Sequence, residues 1–264
     1  MFYKDDTRIL TLLLNIYSHL KKEWDYVLVI CGYPGTGKSK LGLNLIDTWN
    51  ELILNKPVSE KTAIQMASDY RVWLKNFKTL EKYDINIYDE GGTSLDNKSW
   101  MNKLSKAIVS LFRVFRKKSF LSVIIIDDFF SLNKYVREKR VRGIIWVNKR
   151  GHYHFYTQND IKYLNAFNER RLIKSMEVVR SFHSRQFPDY QGVMLEQYDK
   201  NKDEVVNQEL DRAIGESEPK PIPLYLQIKD KVKYMRDKEN KTFSEIAKEL
   251  STTAPTIQKA YMYS

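Results

Sequence analysis

The sequence predicts an α/β fold with a central, mostly parallel sheet, followed by a small all-α unit. Three observations carry this. Tyr26-Val27-Leu28-Val29-Ile30-Cys31 and Leu121-Ser122-Val123-Ile124-Ile125-Ile126 are continuous, largely apolar runs of strand length, as in strands buried on both faces. Helical-period segments lie between the strands. From Lys200 to Pro223 the composition shifts to Asn, Asp, Glu, Gly and Ser, ending in Pro219, Pro221 and Pro223, which reads as a linker.

A chain of 264 residues with 42% hydrophobic side chains can hold one α/β domain and a small appendage. Its net charge of +11 points to a polyanionic partner, nucleic acid or an anionic membrane surface; a solvated lysine-rich surface is the equal alternative on composition alone. Cys31 is the only cysteine; it excludes internal disulfides, reads as a core residue and points to a reducing compartment. No apolar run approaches the ~18–20 residues of a membrane span. The first residues are acidic where a signal peptide is basic, so the expected location is cytoplasmic.

In chain order, Ile9, Leu10, Leu12, Leu13, Ile16, Tyr17 and Leu20 predict a helix over 6–22, with Asp6 or Thr7 as its cap. The strand at 26–31 runs into Gly32-Tyr33-Pro34-Gly35-Thr36-Gly37-Lys38-Ser39, which fits the phosphate-loop pattern. Helical spacing follows in Leu41, Leu45, Ile46, Trp49 and Leu52. In such a loop the glycines turn successive backbone N–H groups toward an anion, and the new helix adds about half a positive charge. Lys38 would reach the β- and γ-phosphates of ATP and the Ser39 hydroxyl would ligate Mg²⁺. A glycine-rich turn in a purely structural βα unit is the bland alternative.

Residues 60–82 read as helical, with Trp73, Leu74, Phe77 and Leu80 inward. Ile85-Asn86-Ile87-Tyr88-Asp89-Glu90 has the form of a Walker B strand. Asp89 would hold the Mg²⁺ shell opposite Ser39, and Glu90 would orient or deprotonate the attacking water. A helix is expected over 99–117, ending in Arg113, Arg116, Lys117 and Lys118, cations that suit a helix C-terminus. The strand at 121–126 stops at Asp127-Asp128, where a polar residue can sense the γ-phosphate. Residues 135–142 are densely basic and read first as a solvated charged segment; Arg113, Arg116, Arg137, Arg140 and Arg142 are the candidates for an arginine acting on a neighbouring subunit's nucleotide. Strands at 143–147 and 152–156 joined by Asn148-Lys149-Arg150-Gly151 predict a hairpin. His152 and His154 share a strand face, without a carboxylate or cysteine beside them to make a metal site. Residues 159–200 read as helix and loop.

The expected domains are 1–200, a linker at 201–223, and 224–264. In the last, a helix through Leu224, Ile228, Val232 and Met235 precedes two more around Ala247, Leu250 and Ile257, at helix-turn-helix spacing, with Ser251 where glycine is usual. Its second helix would offer Thr252, Thr253, Thr256, Gln258 and Lys259 to the major groove of DNA. A plain three-helix packing module is the alternative.

The order of phosphate loop, Asp-Glu strand, basic helix end, polar-tipped strand and hairpin resembles the RecA-like P-loop ATPases. Within them it is most similar to the HerA–FtsK lineage and its viral and plasmid branch of Zot-like and genome-packaging ATPases. The resemblance covers roughly residues 24–157. It implies ATP and Mg²⁺ as cofactors, ATP hydrolysis, and a homo-oligomeric ring, often a hexamer, with an arginine completing the neighbour's site. The lineage often has glutamine where this chain has Asp127-Asp128. The expected function is a DNA-acting ATPase, a motor or loader for a viral or mobile-element genome. An ATP-switched DNA-binding regulator or partition factor, and a small-molecule kinase, are the alternatives.

Overall fold

The computed structural model describes residues 7–89, 119–169, 185–217 and 223–264. Glu90, Arg113, Arg116 and the helix expected over 99–117 lie outside them. The chain divides into Met1–Leu210 and Asp211–Ser264.

The first unit is a mixed α/β structure around a seven-stranded sheet. Its strands are β1 (Tyr26–Gly32), β2 (Met66–Ala67), β3 (Ile85–Asp89), β4 (Leu121–Ile126), β5 (Val141–Lys149), β6 (His152–Tyr156) and β7 (Arg185–Gln186), in the order β2-β3-β4-β1-β5-β6-β7. The first five in that order run parallel; β6 and β7 are antiparallel.

The continuous apolar runs fill both faces. Leu28, Ile30, Ile87, Val123, Ile125, Ile145 and Val147 pack in one core with α1 (Thr7–Lys21) and α2 (Lys38–Thr48). Their alternate neighbours Val27, Val29, Cys31, Tyr88, Ile124, Ile126 and Ile144 pack in the other with α3 (Tyr70–Thr79) and part of a later helix, Gln158–Glu169. Alternation of side chains across a strand produces this division. The parallel registers align the C-terminal ends of β1, β3 and β4: Cys31 pairs with Ile126 and Asp89 with Ile125.

Two readings are corrected. The segment 60–82 is not one helix: Ser59 and Thr62 form a capping box on a 3-10 turn at Glu60–Gln65, β2 adds to the sheet edge through Met66–Ile87 pairing, and Asp69 caps α3 by accepting from the Arg71 amide. Much of the expected linker at 201–223 is helix, because Leu195–Ser217 is continuous. The hairpin stands, with β5 and β6 joined through Gly151 at φ +73. Further helices are α4 (Lys134–Lys139), α5 (Gln158–Glu169) and α6 (Leu195–Ser217), the last running past Leu210, where the first unit ends.

The second unit contains α7 (Leu224–Gln227), α8 (Lys229–Asp237), α9 (Phe243–Glu249) and α10 (Ala254–Met262) around Val232, Met235, Ile246, Ala247, Ile257 and Ala260.

Candidate functional site

The site is built where β1 turns into α2. Gly32, Gly35 and Gly37 have φ of +149, +76 and +93, backbone that glycine enters without steric cost, and Gly37 caps α2. Lys38 curls back over the loop, about nine-tenths buried. Its ammonium donates to the Gly32 carbonyl at 2.8 Å, the Tyr33 carbonyl at 2.9 Å and the Asp127 carboxylate at 2.8 Å. Thr36 Oγ1 donates to the Tyr33 carbonyl at 2.7 Å and tightens the turn.

β4 lies between β1 and β3, so the loop and Asp89 stand two strand spacings apart, ~10 Å. Asp127 at the tip of β4 fills part of that gap. Asp128 does something else: it caps the turn Phe129–Ser131 by accepting from the Phe130 amide at 2.9 Å.

Asp89 is fully buried. Its carboxylate accepts from the Tyr198 hydroxyl, and Lys202 Nζ stands 3.6 Å away. The Tyr198 oxygen also takes a hydrogen bond from Lys202 Nζ at 3.0 Å. Burial first, then the Asp89 charge, pushes the Tyr198 phenol far above its ordinary range, and the nearby Ser39 side chain opposes the rise, so it remains a donor. The Tyr198 hydroxyl thus holds Asp89 on the side near Ser39, the two side chains expected to flank Mg²⁺. Tyr198 and Lys202 sit four apart on α6, on one helix face.

The chain entering α6 is a strap across α2. Asp189 meets Lys40 at 2.8 Å and Arg150 at 3.5 Å, Asn44 donates to the Pro188 carbonyl at 3.2 Å, and Tyr190 donates to Asp47 at 3.1 Å. A Cβ at Gly37 would lie 3.6 Å from the Phe187 ring. Burial, the largest influence, pushes the Asp47 carboxyl up to about 6, against the lowering effect of the Tyr190 hydrogen bond. The folded chain therefore holds a proton there through the window from about 4 to about 6 where the unfolded chain has lost it. Stability is highest below that window and falls as pH rises through it. Asp47→Asn should flatten this part of the stability profile, read from urea midpoints between pH 4 and 7; an unchanged slope would remove Asp47 as its source.

The other expected residues are dispersed. Val141 pairs with Val27, so Arg140 and Arg142 lie at the N-terminal ends of β1 and β5, away from Gly32, and Arg137 lies on the helix just before β5. The segment is not simply solvated: Arg137 is 6% exposed and lies over the Phe130 ring, while Arg140 is 9% exposed and meets Asp25 at 3.5 Å. The Arg142 guanidinium lies over Trp24 at 5.9 Å. His154 stacks on Trp146, and burial lowers its pKa. Among the described residues no group of three or more His, Cys, Asp or Glu could hold a metal.

In the second unit, Ser251 has φ +48 in the turn between α9 and α10, and the Thr252 amide donates to the Ala247 carbonyl at 2.9 Å. Ile257 faces the core, while Thr253, Gln258 and Lys259 are exposed and Thr252 and Thr256 half-buried. Thr253 and Thr256 share a hydrogen bond at 3.0 Å, and Lys259 Nζ sits 4.3 Å from the Tyr225 ring centre.

Tyr198, Lys202 and the strap had no assigned role in the sequence. Among the described residues no helix is long and apolar enough to cross a membrane. Compared with known proteins, the chain matches no family model, no curated protein and no solved structure.

Proposed function

We propose that this protein is a RecA-like P-loop ATPase that acts on DNA as a motor or loader, with a helix-turn-helix reader at its C-terminus. The observation that carries the reading is the convergence of Lys38, Ser39 and Asp89 around a left-handed glycine loop at the start of α2. The donor set fits the cofactor. Mg²⁺ asks for hard oxygens, typically one or two carboxylates plus phosphates and water, and Ser39 and Asp89 offer a hydroxyl and a carboxylate.

The loop amides and the N-terminus of α2 would bind the phosphates, and Lys38 would transfer its donors from the Gly32 and Tyr33 carbonyls to phosphate oxygens. Ser39 and Asp89 would hold Mg²⁺, which supplies charge neutralisation across the β- and γ-phosphates. Asp127, already paired with Lys38, occupies the sensor position. Glu90, next in sequence to Asp89, would orient the attacking water and take its proton.

The +11 net charge supports a nucleic-acid partner. The turn at Ser251, the buried Ala247 and Ile257 and the exposed polar start of α10 support a major-groove reader. A homo-oligomeric ring, often six-membered in the lineage that this sequence resembles, completes the proposal.

The test is ATP turnover with and without duplex DNA, measured alongside mass in solution with ATP. DNA should raise turnover and the mass should exceed one chain. Glu90→Gln should keep ATP affinity within a few fold and lower turnover at least ~100-fold, the usual worth of a positioned base. ATP binding without turnover at any DNA concentration would favour a switch over a motor. Near-normal turnover in Glu90→Gln would remove that residue from the mechanism.

A further inference from the structure

The structure places a tyrosine hydroxyl and a lysine ammonium at the point where the nucleotide reading puts the metal. Tyr198 is 4% exposed and Asp89 fully buried. The Tyr198 hydroxyl donates to Asp89 Oδ2, while Lys202 Nζ lies 3.0 Å from its oxygen and 3.6 Å from the carboxylate. A hydroxyl bonded to the carboxylate expected to hold the metal and a positive charge beside that carboxylate together resemble what a hydrated cation supplies.

We infer that Tyr198 and Lys202 form a built-in stopper, a surrogate for the divalent cation, which must leave for Mg²⁺·nucleotide to bind. The inference rests on the ATPase reading and names the regulation of that same site.

Sterics make the two occupants exclusive. Mg²⁺ holds its ligands at about 2.0–2.1 Å, so an ion shared by Ser39 and Asp89 overlaps the Tyr198 hydroxyl. The chemistry also explains why the pair is built this way. Asp89 is a buried carboxylate, and a buried charge without hydrogen bonds or a counter-charge is costly; Tyr198 supplies a hydrogen bond and Lys202 a counter-charge.

There is room for the ring to leave. Tyr198 forms one wall of a cleft of about 800 Å³, whose other walls include Ile64, Met66 and Val72. The strap anchors the start of α6 to α2 through Asp189, Pro188 and Tyr190. The stopper is therefore tied to the element that carries Lys38 and Ser39.

The experiment measures binding of a fluorescent ATP analogue to the full chain across a free-Mg²⁺ series and in EDTA, for wild type, Tyr198→Phe and Lys202→Met. Removing the hydroxyl while keeping the ring should lower the half-saturating Mg²⁺ roughly tenfold, the worth of a hydrogen bond to a charged group. Affinity in EDTA should stay within about threefold. Lys202→Met should move the Mg²⁺ requirement in the same direction and keeps the inference testable if Tyr198→Phe folds poorly. In wild type, backbone amides of 197–203 should exchange faster with Mg²⁺ and the analogue than with the analogue in EDTA.

Two results overturn the inference alone: an unchanged or raised Mg²⁺ requirement in both variants with binding intact, or a lower melting temperature without any Mg²⁺ shift. The latter would make Tyr198 a structural buttress. Failure of wild type and both variants to bind the analogue under any condition overturns the nucleotide reading and the inference together.

Discussion

Lys38→Ala should lose at least a hundredfold in ATP affinity while the chain still folds. The ammonium makes three hydrogen bonds, to the Gly32 and Tyr33 carbonyls and to Asp127, so the whole donor set is already gathered at the loop mouth. With nucleotide those donors would be redirected to phosphate, where charge-assisted bonds are about twice as strong as neutral ones. A hundredfold loss corresponds to about 2.7 kcal/mol, within the reach of one such cation. In the folded chain the cost is smaller: the Asp127 side chain is 67% exposed, and a pair open to water adds little. The two loop carbonyls lose a donor, at about 1–3 kcal/mol if they stay dry. Lys38→Arg should fail as well, because a planar guanidinium cannot fold back onto two carbonyls as a compact ammonium does. Titration of a labelled ATP analogue alongside a melting curve checks both halves. Binding within fivefold of wild type in Lys38→Ala would remove the loop as the phosphate site.

What was readable in the sequence was what is local. The loop, β1 and α2 are contiguous, and the apolar runs of β1 and β4 state their own burial. Asp89 was visible because it ends a short strand. β2 was hidden inside a helical-looking stretch, since two residues have no periodicity and their placement depends on pairing Met66 with Ile87. α6 was hidden by composition: a polar segment resembles a linker unless its pairs are seen on a helix, such as Glu196 with Lys200 and Gln197 with Asn201 at 2.7 and 2.8 Å. Tyr198 was invisible for another reason. Its partner Asp89 lies 109 positions away, and nothing in the spacing of α6 announces that contact. The arginines between 137 and 142 show the converse error, where a dense run of charge suggested solvation although long stems and aromatic neighbours allow burial.

Gly32→Ala should be the most destabilising small change in the loop, at about 2–5 kcal/mol from left-handed strain and overpacking together. Gly32 has φ +149, and a Cβ there would stand 2.1 Å from the Val147 carbonyl oxygen and 3.0 Å from its carbon. Those atoms are backbone of β5, held in register by the pairing of Gly32 with Val147 and Cys31 with Trp146. No rotamer change relieves the contact; the ladder must shift, and with it the carbonyl that receives Lys38. Gly35 is the internal control. It also has positive φ, +76, but a Cβ there would meet nothing within 4 Å, so Gly35→Ala should cost only the ~1–2 kcal/mol of a left-handed alanine. Urea unfolding of the two variants separates close approach from conformational preference. A Gly32→Ala stability within 1 kcal/mol of Gly35→Ala would mean that β1 and β5 are not packed this tightly at the mouth of the site, whereas a larger gap would show that the loop's position is fixed by the neighbouring strand before any ligand binds.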